Sequence, residues 1–277
     1  DKYGDWCMPP EKLELIHSED PLRKTDGHLL STAYLIRVMQ LMERFAPIAD
    51  QASQAQEWRK RHEHTTVHSN RHCLVVHRGT SQAPGHVLYP DSVFYGNNTA
   101  TANILPLAFG LVPDSVRTEV AKNLVTTIIT RHQGHLSSGV IGISWLLTTL
   151  CDQGFADVAW LIATQRSYPS WGYMATQGAT TIWELWNGNK ANPKMNSGNH
   201  VMLLGDLLPW AFSRMGGIRP SLEAGSDGTP SRHFVLSPSW DVPDCEWVDA
   251  SWDSPYGEVK SRWRKTLQHF DWRVELP

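Results

Sequence analysis

Paired α-helices over most of the chain, followed by the opening strands of a β-domain, form the architecture that the sequence predicts. Three observations carry this. Apolar residues recur at three- and four-residue steps over most of the stretch before residue 230, short Gly-, Pro- or Asp-rich turns separate those stretches, and after about Ser231 the pattern shortens and alternates. The division expected is a helical region over 1–230 and the beginning of a β-domain over 231–277.

Taken in order, Leu29, Ala33, Ile36, Met39, Met42 and Phe45 set a helix from Gly27 to about Ala46. A polar helix follows from about Asp50 to His72. Gly79, Pro84, Gly85 and Pro90 break the rhythm between Val75 and Asp91, so a loop or short hairpin is expected there. Helices resume over Thr99 to Gly110, Asp114 to His132, Ser137 to Asp152 and Phe155 to Tyr168, joined by turns such as "FGLVPDS" and "CDQGFAD". One more is expected over Ser197 to Met215, with Gly216-Gly217 as a glycine stop. Beyond it "RHFVLSPSW", "CEWVDASWDS", "EVKSRWRK" and "FDWRVELP" read as strands.

Composition narrows the function. The 277 residues suffice for one large domain, and with 41% hydrophobic and 19% charged residues they read as a soluble globular protein. No apolar run of about 18 residues is present to span a bilayer. Lys and Arg number 25 against 28 Asp and Glu, so no broad positive field exists to draw in nucleic acid. Thirteen tryptophans are many for one chain, and flat amphipathic rings suit core packing or stacking on sugars. Cys7, Cys73, Cys151 and Cys245 lie far apart without a CxxC pair, which supports neither a zinc ribbon nor a disulfide scaffold. Asp1 opens the sequence without an initiator Met or a signal-like stretch, as in a processed piece, and the compartment stays open between secreted, periplasmic and cytoplasmic.

Two stretches carry candidate chemistry. In "YGDWCMPPE", residues 3 to 11, Asp5 and Glu11 flank Trp6 and a proline pair that forbids regular helix. An Asp in a turn and a solvated Glu is the competing reading. In "GATTIWELWNGNK", Glu184 lies between Trp183 and Trp186, and a carboxylate in an aromatic nest is fit for proton transfer if desolvation raises its pKa. A structural Glu would need a cation, and only Lys190 is near in sequence. Asn196, Asn199 and His200 in "MNSGNH" can bond sugar hydroxyls or orient the carboxylate, although a capped helix start explains them too. Two carboxylates on separate segments, each beside Trp, are what glycoside hydrolysis uses.

Other signals are weaker. His64, His68 and His72 share a helix face, but no completing ligand is evident and "HEHTTVH" fails the HExxH pattern at Thr66, so no metal is assigned. Serine-hydrolase elbows, phosphate loops and dinucleotide fingerprints are absent.

The segments "YGDWCMPPE", "LYPDSVFYGNNTATANILPLAFGLVP", "YPSWGYMATQGATTIWELWNG" and "MNSGNHVMLLGDLLPWAFSRMGGIRP" together resemble the catalytic domain of the α-L-rhamnosidases of glycoside hydrolase family 78. "ASWDSPYGEVKSRW" is similar to that family's C-terminal β-sandwich. The resemblance implies an (α/α)6 barrel of helical hairpins, inverting hydrolysis of terminal α-L-rhamnose from a rhamnose-containing glycoside or polysaccharide, and no obligatory cofactor. It implies Glu11 as general acid and Glu184 as the base that activates water, with Asp5 and His200 holding the sugar. Trp6, Trp171 and Trp183 are the expected pocket walls, and Trp145 and Trp160 are expected in the core.

Roughly eight helices by periodicity fall short of six full pairs, so an incomplete barrel with uncovered apolar faces is expected. That leaves a homo-oligomer, or a covering N-terminal segment, as an expected partner. Two rivals stand beside the hydrolase: another (α/α)6 glycosidase or lyase, and a catalytically silent carbohydrate-binding or assembly module.

Overall fold

The computed structural model of the chain describes residues 4–79, 91–191, 196–221 and 233–277. Helices dominate up to residue 215. α1 (Gly27–Ile48) and α2 (Ala52–Cys73) form a long antiparallel hairpin, started by Asp26, whose side chain accepts the His28 N–H. α1 buries Leu29, Leu30, Ala33, Ile36 and Met39, whereas α2 buries no residue at all, as its polar sequence requires. Leu35, Val38, Met42, Phe45 and Ile48 remain exposed on α1, an uncovered apolar stripe of the kind expected from a partial barrel.

β1 (Leu74–His77) pairs antiparallel with β2 (Ser92–Tyr95), so the break after α2 is a strand pair. The middle of the loop expected there, residues 80–90, lies outside the described residues. β2 is fully buried and leads through Gly96 into α3 (Ala100–Ala108), capped by Thr99. α4 (Asp114–Thr126) packs on β2 and α3 and ends in a π-type turn, Thr127–Arg131.

The single helix expected over Ser137 to Asp152 is two short ones, α5 (Val140–Ile143) and α6 (Leu146–Asp152). Neither start is capped by its own preceding residue, Gly139 or Trp145. Distant aspartates supply the acceptors. Asp5 takes the N–H groups of Gly139 (2.7 Å) and Ile141 (2.8 Å), and Asp206 takes those of Leu147 (3.3 Å) and Thr148 (2.8 Å).

α7 (Ala156–Ala163) stops before Tyr168, and the chain re-enters helix at α8 (Trp171–Thr176), which was not expected; the Ser170 hydroxyl caps it by accepting the Tyr173 N–H. The long helix expected over Ser197 to Met215 is also broken. A 3-10 turn at Val201–Leu204, α9 (Leu207–Trp210) and a π turn at Ala211–Met215 replace it. The cause lies at Gly205, whose φ of 59° and approach to the Ile143 carbonyl leave no room for a Cβ.

The strand region opens at β3 (Ile218–Pro220), earlier than the expected boundary near 230, because β3 pairs with β4 (Phe234–Leu236). β5 (Trp247–Ser254), β6 (Gly257–Lys265) and β7 (Phe270–Glu275) form an antiparallel meander. One core joins both regions. Trp263 of β6 is buried with Trp210 and Met215, and its indole N–H donates to the Met215 carbonyl at 2.7 Å.

Asp206→Ala would strand two helix-start N–H groups and the Thr148 hydroxyl in a buried setting, so unfolding in urea should show a loss of about 2 to 3 kcal/mol. A loss below about 0.5 kcal/mol would show that α6 does not depend on this cap.

Candidate active site

The N-terminal loop is fixed before it reaches Glu11. Asp5 is buried, and besides the two amides its Oδ2 accepts from the Thr101 hydroxyl at 2.5 Å. The Trp6 carbonyl accepts the Val140 N–H at 2.7 Å, and it passes so close to Gly139 that any side chain there would collide with it. Burial pushes the Asp5 carboxyl above its usual range, and the four hydrogen bonds from Thr101, Gly139, Ile141 and Gly142 act in the opposite direction. Its oxygens are thus largely committed to the fold. Asp5 nevertheless borders a cavity of about 220 Å³ lined also by Trp6, Cys7, Met8, His17, Ser18 and Lys24.

Glu11 stands past the proline pair and is exposed. Against a slight desolvation, hydrogen bonds from the Ser18 hydroxyl (2.7 Å) and the Glu19 N–H (3.0 Å), with the Arg23 charge nearby, hold its carboxyl below the usual glutamate range. Ser18 therefore links Glu11 to the first cavity. Glu11 itself lines a second cavity, of about 190 Å³, with Arg23, Arg131, His132, His135 and Tyr168.

Glu184 sits in a bend that is hydrogen-bonded to the segment carrying His200. Its N–H donates to the Ser197 carbonyl (3.0 Å), its Oε2 accepts the Ser197 N–H (3.1 Å), and the His200 N–H donates to the Ile182 carbonyl (2.7 Å). Asn196 is used to hold this turn, accepting from the Leu185 N–H and donating to Asn189. The aromatic nest read from the sequence is partly dispersed. Trp186 turns into the core edge-to-face with Trp171, and Trp183 lies against Gly188, so Glu184 is half-buried and not enclosed by rings.

Two links draw these segments together. The Asn187 side chain, fully buried, donates to both the Leu13 and Leu15 carbonyls at 2.7 Å, tying the Glu184 turn to the loop just after Glu11. Trp6 meets the His200 ring edge-on at 6.1 Å. Cys7 feels the charge of both Glu184 and Asp5, and burial with those two carboxylates pushes its thiol up to about 12. Cys7 and Trp6 thus bring the Asp5 loop near Glu184 and His200, and Ser18 joins Glu11 to the cavity beside Asp5.

Trp171 departs from the open wall expected of it. It is 7% exposed and its indole N–H is given to the Leu203 carbonyl, so it supports the site from behind. Trp183 is half-buried, and Trp6, at 39% exposed, is the ring most open to a ligand. Trp145 and Trp160 pack on the core. Ser18, His17, Lys24 and Asn187 line or brace the site without a sequence signal, since a Ser or His in a loop carries no spacing pattern of its own. No group of three or more metal-ligating side chains gathers among the described residues.

Helical hairpins followed by small antiparallel sheets define a six-hairpin glycosidase class of fold. The family model of the bacterial alpha-L-rhamnosidase 6 hairpin glycosidase domain matches residues 1–215, and that of the bacterial alpha-L-rhamnosidase C-terminal domain matches residues 222–277. The chain belongs to the bacterial alpha-L-rhamnosidase six-hairpin family. An alpha-L-rhamnosidase of Streptomyces avermitilis is 37% identical over 187 residues, 65% of this chain and 17% of that protein. One from Alteromonas sp. (strain LOR) is 27% identical over 99% of this chain and 28% of its own length. The structure of the Streptomyces avermitilis alpha-L-rhamnosidase complexed with L-rhamnose superposes with a TM-score of 0.79 at 27% identity, over 100% of this chain and 24% of that one. An alpha-L-rhamnosidase from Dictyoglumus thermophilum gives 0.80 at 27% identity over 99% and 28%. The chain spans 17% to 28% of the length of these relatives.

His132 provides a pH test of the second cavity. Burial, with Arg131, Arg23 and His135 adding repulsion, pushes its imidazole down to about 4. A histidine held neutral in the fold and titrating near 6.5 when unfolded contributes stability that is full above about pH 6.5 and is lost as pH falls toward 4. Unfolding in urea should therefore show wild type losing about 2 kcal/mol more than His132→Gln between pH 7 and 5. Equal losses would contradict the burial of a neutral imidazole.

Proposed function

We propose that the chain is the catalytic region of an inverting α-L-rhamnosidase, removing terminal α-L-rhamnose from a rhamnose-containing glycoside or polysaccharide. The observation that carries this is the joining of the loop after Glu11 to the Glu184 turn through Asn187, with the cavity beside Asp5 and Trp6 reached from Glu11 through Ser18. The L-rhamnose complex of the Streptomyces avermitilis relative and the family match support the sugar.

In this reading Glu184 takes a proton from water, and Ser197 fixes the orientation of its carboxylate. Glu11 gives a proton to the leaving oxygen. At rest Glu11 favours the ionised form, which is the wrong state for an acid. Substrate in the cleft displaces water from this exposed carboxyl, and desolvation raises its affinity for a proton. Trp6 offers the open ring for the apolar face of the sugar, and His200 stands against its edge. Asp5 acts as a positioning residue, holding the loop through Thr101, Gly139 and Ile141.

Glu11→Gln and Glu184→Gln each keep the shape and remove the proton chemistry. Each should lower kcat on an aryl α-L-rhamnoside by about 10² to 10⁴. The aryl leaving group departs with less protonation, so Glu11→Gln should lose less on it than on a disaccharide. Unchanged hydrolysis by both variants would reject the assignment. Rhamnoside binding without any turnover in wild type would favour a carbohydrate-binding module.

A further inference from the structure

The second cavity has a charge pattern that the hydrolytic reading leaves unused. Its volume is about 190 Å³, and Glu11 stands in its lining with two guanidinium groups and two histidines. Arg23 comes from the 3-10 turn Pro21–Arg23; it donates to the Pro9 carbonyl at 3.3 Å and lies 3.8 Å from Asp20. Arg131 ends the π turn that follows α4, where the carbonyl end of a helix tolerates a cation. Arg131 makes no hydrogen bond or ion pair among the described residues. His135 is occupied, with one ring nitrogen toward Ser167 and the other toward the His132 and Gln133 carbonyls.

Charge and position then meet at one place. Two permanent cations face a concavity in which the Glu11 carboxyl is the sole acidic group among the described lining residues. The alternative of plain solvated arginines does not account for their convergence: Arg23, Arg131 and His132 also line a small void of about 10 Å³ next to it, which places the three side chains around a common centre. A general acid protonates the leaving oxygen, so the group that departs sits on the acid's far side from the sugar being released. The first cavity touches Glu11 only through Ser18, and the second contains Glu11 directly.

We infer that this second cavity receives the leaving group and that Arg131, together with Arg23, selects one carrying an anion, a carboxylate or a sulfate on the neighbouring sugar. The inference rests on the acid role of Glu11. Guanidinium groups bind either anion through paired N–H donors, which a neutral sugar does not engage with the same strength.

The test compares kcat/KM for α-L-rhamnosyl glucuronate, α-L-rhamnosyl glucose 6-sulfate and α-L-rhamnosyl glucose. Wild type should favour at least one anionic substrate by about tenfold, the size of a hydrogen bond to a charged group, and the two anions tell carboxylate from sulfate. In Arg131→Gln the ratio of anionic to neutral should fall toward one, with part of it kept in Arg131→Lys. No preference in wild type, or a preference that survives Arg131→Gln, would overturn the inference, and the wild-type comparison decides even if the Gln variant fails to fold. If no rhamnoside is cleaved, the hydrolase reading fails separately. Calorimetry with the same three compounds then judges the cavity: tighter binding of an anionic compound that weakens in Arg131→Gln supports it, and equal affinities overturn it.

Discussion

Two helix starts with no local cap are the constraint on which this site depends. α5 and α6 begin at Gly139 and Trp145, residues that offer their amides no side-chain acceptor, so those N–H groups need a partner from elsewhere in the chain. Asp5 answers one start and Asp206 the other. Each bond does local work in a helix and long-range work on the chain. Asp5 carries the loop that leads to Glu11, and Asp206 ends the segment that begins beside Glu184. Satisfying two short helices thereby anchors the loop before Glu11 and the segment after Glu184, and the Asn187 amide ties the Glu184 turn to the Leu13 and Leu15 carbonyls.

This arrangement separates support from chemistry. Asp5, Asn187 and Asn196 spend their hydrogen bonds on backbone or neighbouring side chains, so what they contribute is position. Glu184 has one oxygen held, by the Ser197 N–H, whereas both Glu11 oxygens accept, one from the Ser18 hydroxyl and one from the Glu19 N–H, on an exposed carboxyl. Glu11 also stands between two environments. On one side is the hollow with Trp6, and on the other a concavity where Arg23 and Arg131 outnumber it in charge. Against a slight desolvation, the Ser18 and Glu19 hydrogen bonds hold Glu11 toward its ionised form, with the Arg23 charge a lesser contribution.

Much of the helical part was legible because its signals are local. The amphipathic spacing of Leu29, Ala33 and Ile36 and the caps at Asp26 and Thr99 lie within a few residues of what they specify. The misses share the opposite property. The apolar spacing runs unbroken across Trp145 and Gly205, but the chain breaks there because of contacts with Asp206 and with the Ile143 carbonyl, partners roughly 60 residues away in sequence. The tryptophan neighbours of Glu184 mislead because the chain bends at Glu184 and turns at Trp186, which carries that ring into the core and leaves the carboxylate half-buried. Ser18 and Arg131 were invisible for a similar reason, since their importance comes only from what folding brings beside them.

The central claim is that two pinned loops hold Glu11 and Glu184 far enough apart to admit a water between carboxylate and sugar. Proton NMR of the first rhamnose released from an α-L-rhamnoside tests it directly. Initial release of β-L-rhamnose is the expected result, matching inverting carboxyl groups about 6.5 to 9.5 Å apart. Initial release of α-L-rhamnose would mean direct attack by a carboxylate across about 5 Å and would contradict the account.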